Sequence, residues 1–474
     1  MSNSSLKHPK ALPICFLTEM WERFGYMLIS TTVIFILIQR FNLDDSRANI
    51  IVGSFTAILY ITSVLAGQIA DKIIGYYRSV ILGGIVLVIG YSYLALAQDL
   101  FTFCVALGVV CSGTGLLKTN VGSYLGHSYD ASDTHRQSGF TIFYVGINIG
   151  ALVGNIMAGY IYKYLGGSAI FITSAFMLIV GTLTFYFGFK LMNLKLYRRE
   201  VTIYSWIAAI VLTLIGAIIG VIVIYNPNVS SVFFALVIIF SLFVLFKGAK
   251  GSQDFKKALS YLVFLFIAVF FWALYNQLFM SLNLFIERVV DHKILGFISI
   301  PTQAFVAFNN ITILIGGVFL GILWKKVNIL DVYKYLTGMF LLVFMFTTLI
   351  VGIHLSGKST TQLVNGNWVV LSYIILALAE LFVSAIGLSL ATRLAPKGQV
   401  GGYMGLWLVN MGVGGYVAGV IANVAAIPEG VTNIIELKQV YLGSFNIFSI
   451  IGVVAFVLTV FAVVLIKKLL GEEA

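Results

Sequence analysis

The sequence predicts an all-α polytopic membrane protein with 14 transmembrane helices, built as two six-helix bundles with an inserted helix pair. Three observations predict it. Of the 474 residues 60% are hydrophobic and only 10% are charged, where soluble domains carry roughly 25% charged residues. A helix needs about 20 mostly apolar residues to cross the hydrocarbon core, and fourteen such runs separated by polar breaks can be read along the chain. Lys and Arg also crowd into alternate breaks. A net charge of +11 would suggest nucleic acid in a soluble chain, but no basic run is interleaved with aromatics. The excess is topological, and the partner it implies is the lipid bilayer.

The first run, 12–39, is too long for the apolar region of a signal peptide and holds Glu19, Glu22 and Arg23, so it is expected to remain as span 1. Runs at 49–70, 79–98, 101–126, 138–162 and 165–189 complete a first set of six. Those at 201–225 and 231–247 have uncharged cores bracketed by the densest basic clusters, Lys190 to Arg199 and Lys247 to Lys257. Such uniformly apolar spans face lipid, which marks the pair as an insertion. Runs at 258–286, 301–324, 333–354, 368–392, 401–427 and 440–466 form the second set. The expected organisation is a bundle over 1–192, a hairpin with its linkers over 193–257, and a bundle over 258–474. With the N-terminus in the cytoplasm, twenty Lys and Arg fall inside, seven outside and two within spans, so both termini are expected to be cytoplasmic. Cys15, Cys104 and Cys111 lie in apolar stretches without metal-ligand spacing and read as small buried hydrophobes.

Five charges lie in the interior of spans, away from their ends: Glu19, Glu22, Arg23, Lys118 and Glu380. Each costs about 2.5–3.5 kcal/mol at mid-bilayer on insertion scales, so each must face a wet cavity or another charge. Glu19 to Glu22 is an i, i+3 spacing and Glu19 to Arg23 an i, i+4 spacing, which puts the three on one face with a net charge of −1. Lys118 from span 4 would neutralise them. This cluster is either a proton site, since moving one cation shifts a carboxylate strongly, or a static knot between spans 1 and 4. Glu380 in span 12 has no protein cation. It either protonates, with a neighbour such as Ser384 at i+4 as hydrogen-bond partner, or awaits a cationic ligand such as an amine. Cations in one half and a carboxylate in the other suit a zwitterion such as a short peptide.

No His lies inside a span except at an end, no glycine loop for nucleotide phosphates occurs, and neither HExxH nor a Ser/His/Asp set is placed for intramembrane catalysis. An enzyme, a metal and a cofactor are therefore not expected. Gly146, Gly150 and Gly154 form a small-xxx-small stripe, a helix-packing pattern. Asn148 within it is a buried amide in need of partners. After span 2, Gly67, Asp71, Gly75 and Arg78 resemble the G-x-x-x-D-x-x-x-G-x-x-R loop of the major facilitator superfamily. The small residues allow a tight turn, and Asp71 can accept from helix-end amides or pair with an Arg.

Span 1 reads EMWERFGYM, which resembles the E-x-x-E-R-F signature of the proton-dependent oligopeptide transporters. GTGLLKTN in span 4, SGFTIFYVGINIGA in span 5, FWALYNQ in span 9, FNN in span 10, and ELFVSAIGLSLATRLAP followed by GLW are similar to further signatures of that family. The resemblance implies a bacterial inner-membrane symporter, working as a monomer, that imports di- and tripeptides by alternating access with the proton gradient as energy source. It implies that Glu19, Glu22, Arg23 and Lys118 couple protons, that Arg23 and Lys118 also receive the peptide carboxylate, and that Glu380 with Asn148 and Asn309 holds the amino terminus. Tyr26, Tyr60, Trp272, Ser384 and Trp407 match pocket positions. The departures are specific. Met27 and Ser30 stand where the family has Tyr and Arg, and Asn276 stands where it has Glu. That Arg and Glu form an extracellular gate in the family, so their joint loss leaves at most a Ser30–Asn276 hydrogen bond and removes one proton site. Thr119 and Ala385 replace two prolines. The same fold could therefore carry a modified peptide, an amino-acid conjugate or another small zwitterion, or serve as a transport-inactive receptor.

Overall fold

The computed structural model describes all residues except 1–7, 131–132, 134, 198–199, 253–254, 328–329, 358–361, 397–399 and 471–474. Among the described residues fourteen helices are long and apolar enough to cross a membrane, the number read from the sequence. They are span 1 (Ala11–Phe41), span 2 (Asp45–Ile74), span 3 (Tyr76–Leu96), span 4 (Leu100–His127), span 5 (Arg136–Leu165), span 6 (Gly167–Leu191), span 7 (Ile203–Tyr225), span 8 (Pro227–Lys247), span 9 (Phe255–Val289), span 10 (Thr302–Trp324), span 11 (Asp331–Leu355), span 12 (Gly366–Ser384), span 13 (Val400–Ala425) and span 14 (Ile434–Leu465). Several helices run past the apolar runs, so Lys438, one of the seven cations counted as outside, lies inside the first turns of span 14 (Ile434–Leu465).

By packing, the chain divides into two compact units, Met1–Val33 with Ile58–Asn226, and Ile34–Ala57 with Pro227–Ala474. The division runs through the middle of spans 1 and 2 and between the two helices of the inserted hairpin.

In the first unit, span 1 backs onto spans 5 and 6. The glycine stripe makes this possible: a Cβ on Gly150 would sit 2.1 Å from the Met20 carbonyl oxygen, and one on Gly154 2.7 Å from that of Phe24. No side chain fits there, so the two backbones touch through glycine. On the other side, Ser174 donates to the Gly25 carbonyl at 3.0 Å. Span 2 is fastened to span 4 by the Thr62 hydroxyl, 2.9 Å from the Cys111 carbonyl, and Thr119 reaches the Ser63 carbonyl at 3.4 Å. Span 7 packs on span 4 through Ala209, Gly216, Ala217 and Gly220. The predicted tight turn after span 2 is present. The last turn, Ala70–Ile74, widens to a π turn and Gly75 takes φ +79°, a conformation L side chains rarely adopt. Asp71 accepts from the Tyr76 hydroxyl at 2.7 Å, while Arg78 donates to the Ile74 carbonyl at 3.3 Å.

In the second unit, span 9 breaks into a 3-10 turn at Asn276–Phe279 before resuming at Ser281. The break is stitched by polar groups: Gln277 donates to the carbonyls of Ala273 and Ala418, and Ser281 donates to Gln277. Span 8 packs on spans 9 and 13. Phe234 stacks on Tyr416 at 4.3 Å, and the Ser54 and Ser230 hydroxyls meet at 3.2 Å. Its remaining surface exposes Leu236, Ile239, Phe240 and Phe243, as lipid contact requires.

Candidate transport site

Helix packing in the first unit turns one face of span 1 inward, and Glu19, Glu22 and Arg23 are all buried. Arg23 grips Glu22 with both arms of its fork, Nε to Oε2 at 2.5 Å and Nη2 to Oε1 at 2.7 Å. Glu19 lies 3.9 Å from Arg23, and its Oε2 is buried without a hydrogen-bond partner. Helical spacing favours the Glu19–Arg23 pair, yet the tight pair joins sequence neighbours. The long Arg side chain folds back along the helix, and a bidentate charge-assisted pair outweighs a single contact at i, i+4.

The Arg23 guanidinium carbon lies 4.5 Å from the centre of the Tyr26 ring, and Lys118 Nζ lies 5.5 Å from that of Tyr60, the geometry of cation–π contact. Among the described residues no carboxylate lies within 4 Å of Lys118. Glu22, Glu19 and Arg23 act on it through space. The formal charges of two carboxylates and two cations cancel, but Lys118 stands off from the other three and is half-buried. It thus retains an ammonium to offer. Asn148 is buried and donates to the Tyr144 carbonyl of its own helix at 2.9 Å. Ser30 is buried at the end of the same face.

The second unit gathers Trp272, Asn309, Glu380 and Trp407. Glu380 accepts from the Tyr275 hydroxyl at 2.7 Å; the partner is on span 9, not Ser384 one turn along its own helix. Tyr275 was missed from sequence. Its only signal is its place in FWALYNQ, three residues after Trp272 on the same helical face. Asn309 stands beside the same carboxylate with its amide nitrogen buried and unpaired, and Trp272 Nε1 is likewise buried without an acceptor. Rings close the region: Trp272 is 5.4 Å from Tyr275 and 6.5 Å from Trp407, and Trp407 stacks on Phe264 at 5.4 Å. One carboxylate and two idle donors inside an aromatic wall can receive an ammonium together with neighbouring carbonyls. Asn276, the position read as a remnant gate, donates instead to the Trp272 carbonyl at 2.7 Å, which caps the helix at its break.

The comparisons with known proteins agree with this arrangement. Over 480 residues the chain is 29% identical to dipeptide and tripeptide permease A of Klebsiella pneumoniae (strain 342), covering 99% of this chain and 94% of the relative. It is 28% identical to the protein of the same name from Escherichia coli (strain K12), again over 99% and 94%. A structure solved to examine substrate recognition in proton dependent oligopeptide transporters superposes with a TM-score of 0.85 at 26% identity, covering 97% of this chain and 99% of that one. A peptide transporter crystallised with alafosfalin gives 0.84 at 25%, over 98% and 96%. The POT family model matches residues 77–440; the charged face of span 1 precedes that segment and is covered by the full-length relatives. This chain, with the fourteen-span major facilitator superfamily fold of those structures, belongs to the POT family of proton-dependent oligopeptide transporters.

Proposed function

We propose that the protein is a proton-coupled symporter that imports di- and tripeptides by alternating access across a bacterial inner membrane, with both termini cytoplasmic and one chain as the working unit. The observation that carries the reading is the division of charge. Among the described residues, one unit holds Lys118 with no carboxylate within 4 Å and Arg23 beside Tyr26, while the other holds Glu380 with no cation paired to it. A peptide zwitterion carries both a carboxylate and an ammonium, the charges these two sets of groups would receive. The moving bodies are the bundles over 1–192 and 258–474, accompanied by the hairpin over 193–257. Protons are handled by Glu19 and Glu22, because the family's gate carboxylate is Asn276 here.

Purified protein in liposomes should accumulate labelled dipeptide under an inward proton gradient; failure across a broad dipeptide panel would remove the proposal. Lys118→Ala should abolish gradient-driven uptake, and Glu380→Ala should weaken peptide binding most. Met27 removes a tyrosine hydroxyl beside Tyr26, which favours a second cargo class of modified peptides or amino-acid conjugates. Stronger competition by such compounds than by dipeptides would select that class.

A further inference from the structure

Where the C-terminal end of span 11 meets the N-terminal end of span 14, Ile353, His354, Gly357, Ile435, Lys438 and Gln439 line an open cleft of about 190 Å³. Lys438 is only 4% exposed. Its ammonium donates to the backbone carbonyls of Gln362 and, at 3.5 Å, Gly357. Carbonyl oxygens satisfy hydrogen bonds but bring no counter-charge, and an ammonium has a third N–H to place. Among the described residues no carboxylate pairs with Lys438. Glu436, two residues earlier, is exposed and points from another side of the helix.

The cleft wall adds His354 and Gln439 as polar groups, and Ile353, Ile435 and Leu442 as apolar ones. Of the amides in the first turn of span 14, Ile435 N–H is already capped by the Asn433 side chain at 2.9 Å. Nearby Leu355, Ile447 and Ile450 are exposed, so the apolar side of the cleft continues into surface of the kind acyl chains cover. A buried cation with no carboxylate partner, beside an apolar helix surface, calls for an anion that itself carries an apolar tail.

We propose that this cleft binds a phosphate anion, with Lys438 as its counter-charge, and that the phosphate is the diester headgroup of an anionic phospholipid. In the orientation proposed above it belongs to the outer leaflet. The assignment is independent of peptide transport, so neither reading falls with the other.

The test uses the full chain, purified in detergent and stripped of lipid. Short-chain phosphatidylglycerol should raise the unfolding temperature by several degrees through linkage, whereas diacylglycerol of the same chain length and inorganic phosphate should not. Lys438→Gln should lose the shift and Lys438→Arg should keep it. Equal shifts with phosphatidylglycerol and diacylglycerol, or an undiminished shift in Lys438→Gln, would overturn the site. A full shift with inorganic phosphate alone would overturn the lipid assignment. Because Lys438→Gln also unties the carbonyls of 357 and 362, Ile435→Trp, which fills the cleft and keeps the lysine, should abolish bound phosphatidylglycerol counted by native mass spectrometry. Retention of that lipid by Ile435→Trp would equally sink the proposal.

Discussion

Glu19 and Glu22 differ by one turn in sequence and by everything in their surroundings. Glu22 is spent on Arg23 through two short hydrogen bonds, while Glu19 keeps an oxygen with no partner. Removing one member of a buried pair strands the other, at roughly 3–5 kcal/mol. Glu22→Gln should therefore lower thermal stability as well as abolish gradient-driven uptake. Glu19→Gln should fold normally and lose accumulation under a proton gradient while peptide counterflow persists; equal loss of both would contradict a proton role for Glu19. In the second unit, the Tyr275 hydroxyl orients the Glu380 carboxylate. A hydrogen bond to a charged group contributes about 1.5–3 kcal/mol, so Tyr275→Phe should raise KM for dipeptides roughly tenfold or more, with maximal rate retained. An unchanged KM would show that the hydroxyl does not position the carboxylate. Of this chemistry the spans betray the charges, because any ion in an apolar run stands out. They do not betray Tyr275, because one tyrosine among 24 carries no signal until a fold sets it against a carboxylate.

Spans 1 and 2 are each shared between the two packing units. Asp45 at the start of span 2 receives both arms of Arg288 from the end of span 9, at 2.6 and 2.8 Å, and also the Ile427 backbone N–H at 3.0 Å. Arg288 further donates to Tyr441 at 3.2 Å. This pair fastens the turn after span 1 to spans 9 and 14 inside the second unit. Asp45→Asn should destabilise by an amount toward the lower end of the roughly 3–5 kcal/mol scale, since Arg288 is partly solvated. The double exchange of Asp45→Arg with Arg288→Asp should recover part of the loss, and a double-mutant cycle of unfolding temperatures reads the coupling. Span 1 depends as strictly on span 5. Gly150→Leu drives a side chain into the Met20 carbonyl and should abolish properly folded protein in size-exclusion profiles. The glycine stripe is legible as spacing, but its partner helix is not, because any of thirteen other spans could supply the facing backbone.

At the scale of the molecule, orientation rests on the cation bias and can be checked directly. Cys15, Cys104 and Cys111 are buried, so the wild type should resist a membrane-impermeant maleimide. Asn42 follows span 1 and Asn193 follows span 6, both exposed. Asn42→Cys should label in intact cells and Asn193→Cys only after permeabilisation; the reverse pattern would invert the topology. Span number, the inserted hairpin, the intramembrane charges and the family were determined by the sequence alone, because the bilayer imposes a single length and a single polarity on every crossing. The pairing of those charges was decided by tertiary structure. Glu22 rather than Glu19 holds Arg23, Lys118 stands apart, Glu380 meets Tyr275, and Asp45 meets Arg288. Within lipid, helix contacts follow shape and local hydrogen bonding rather than hydrophobic pattern, so one apolar span does not announce which other it will touch.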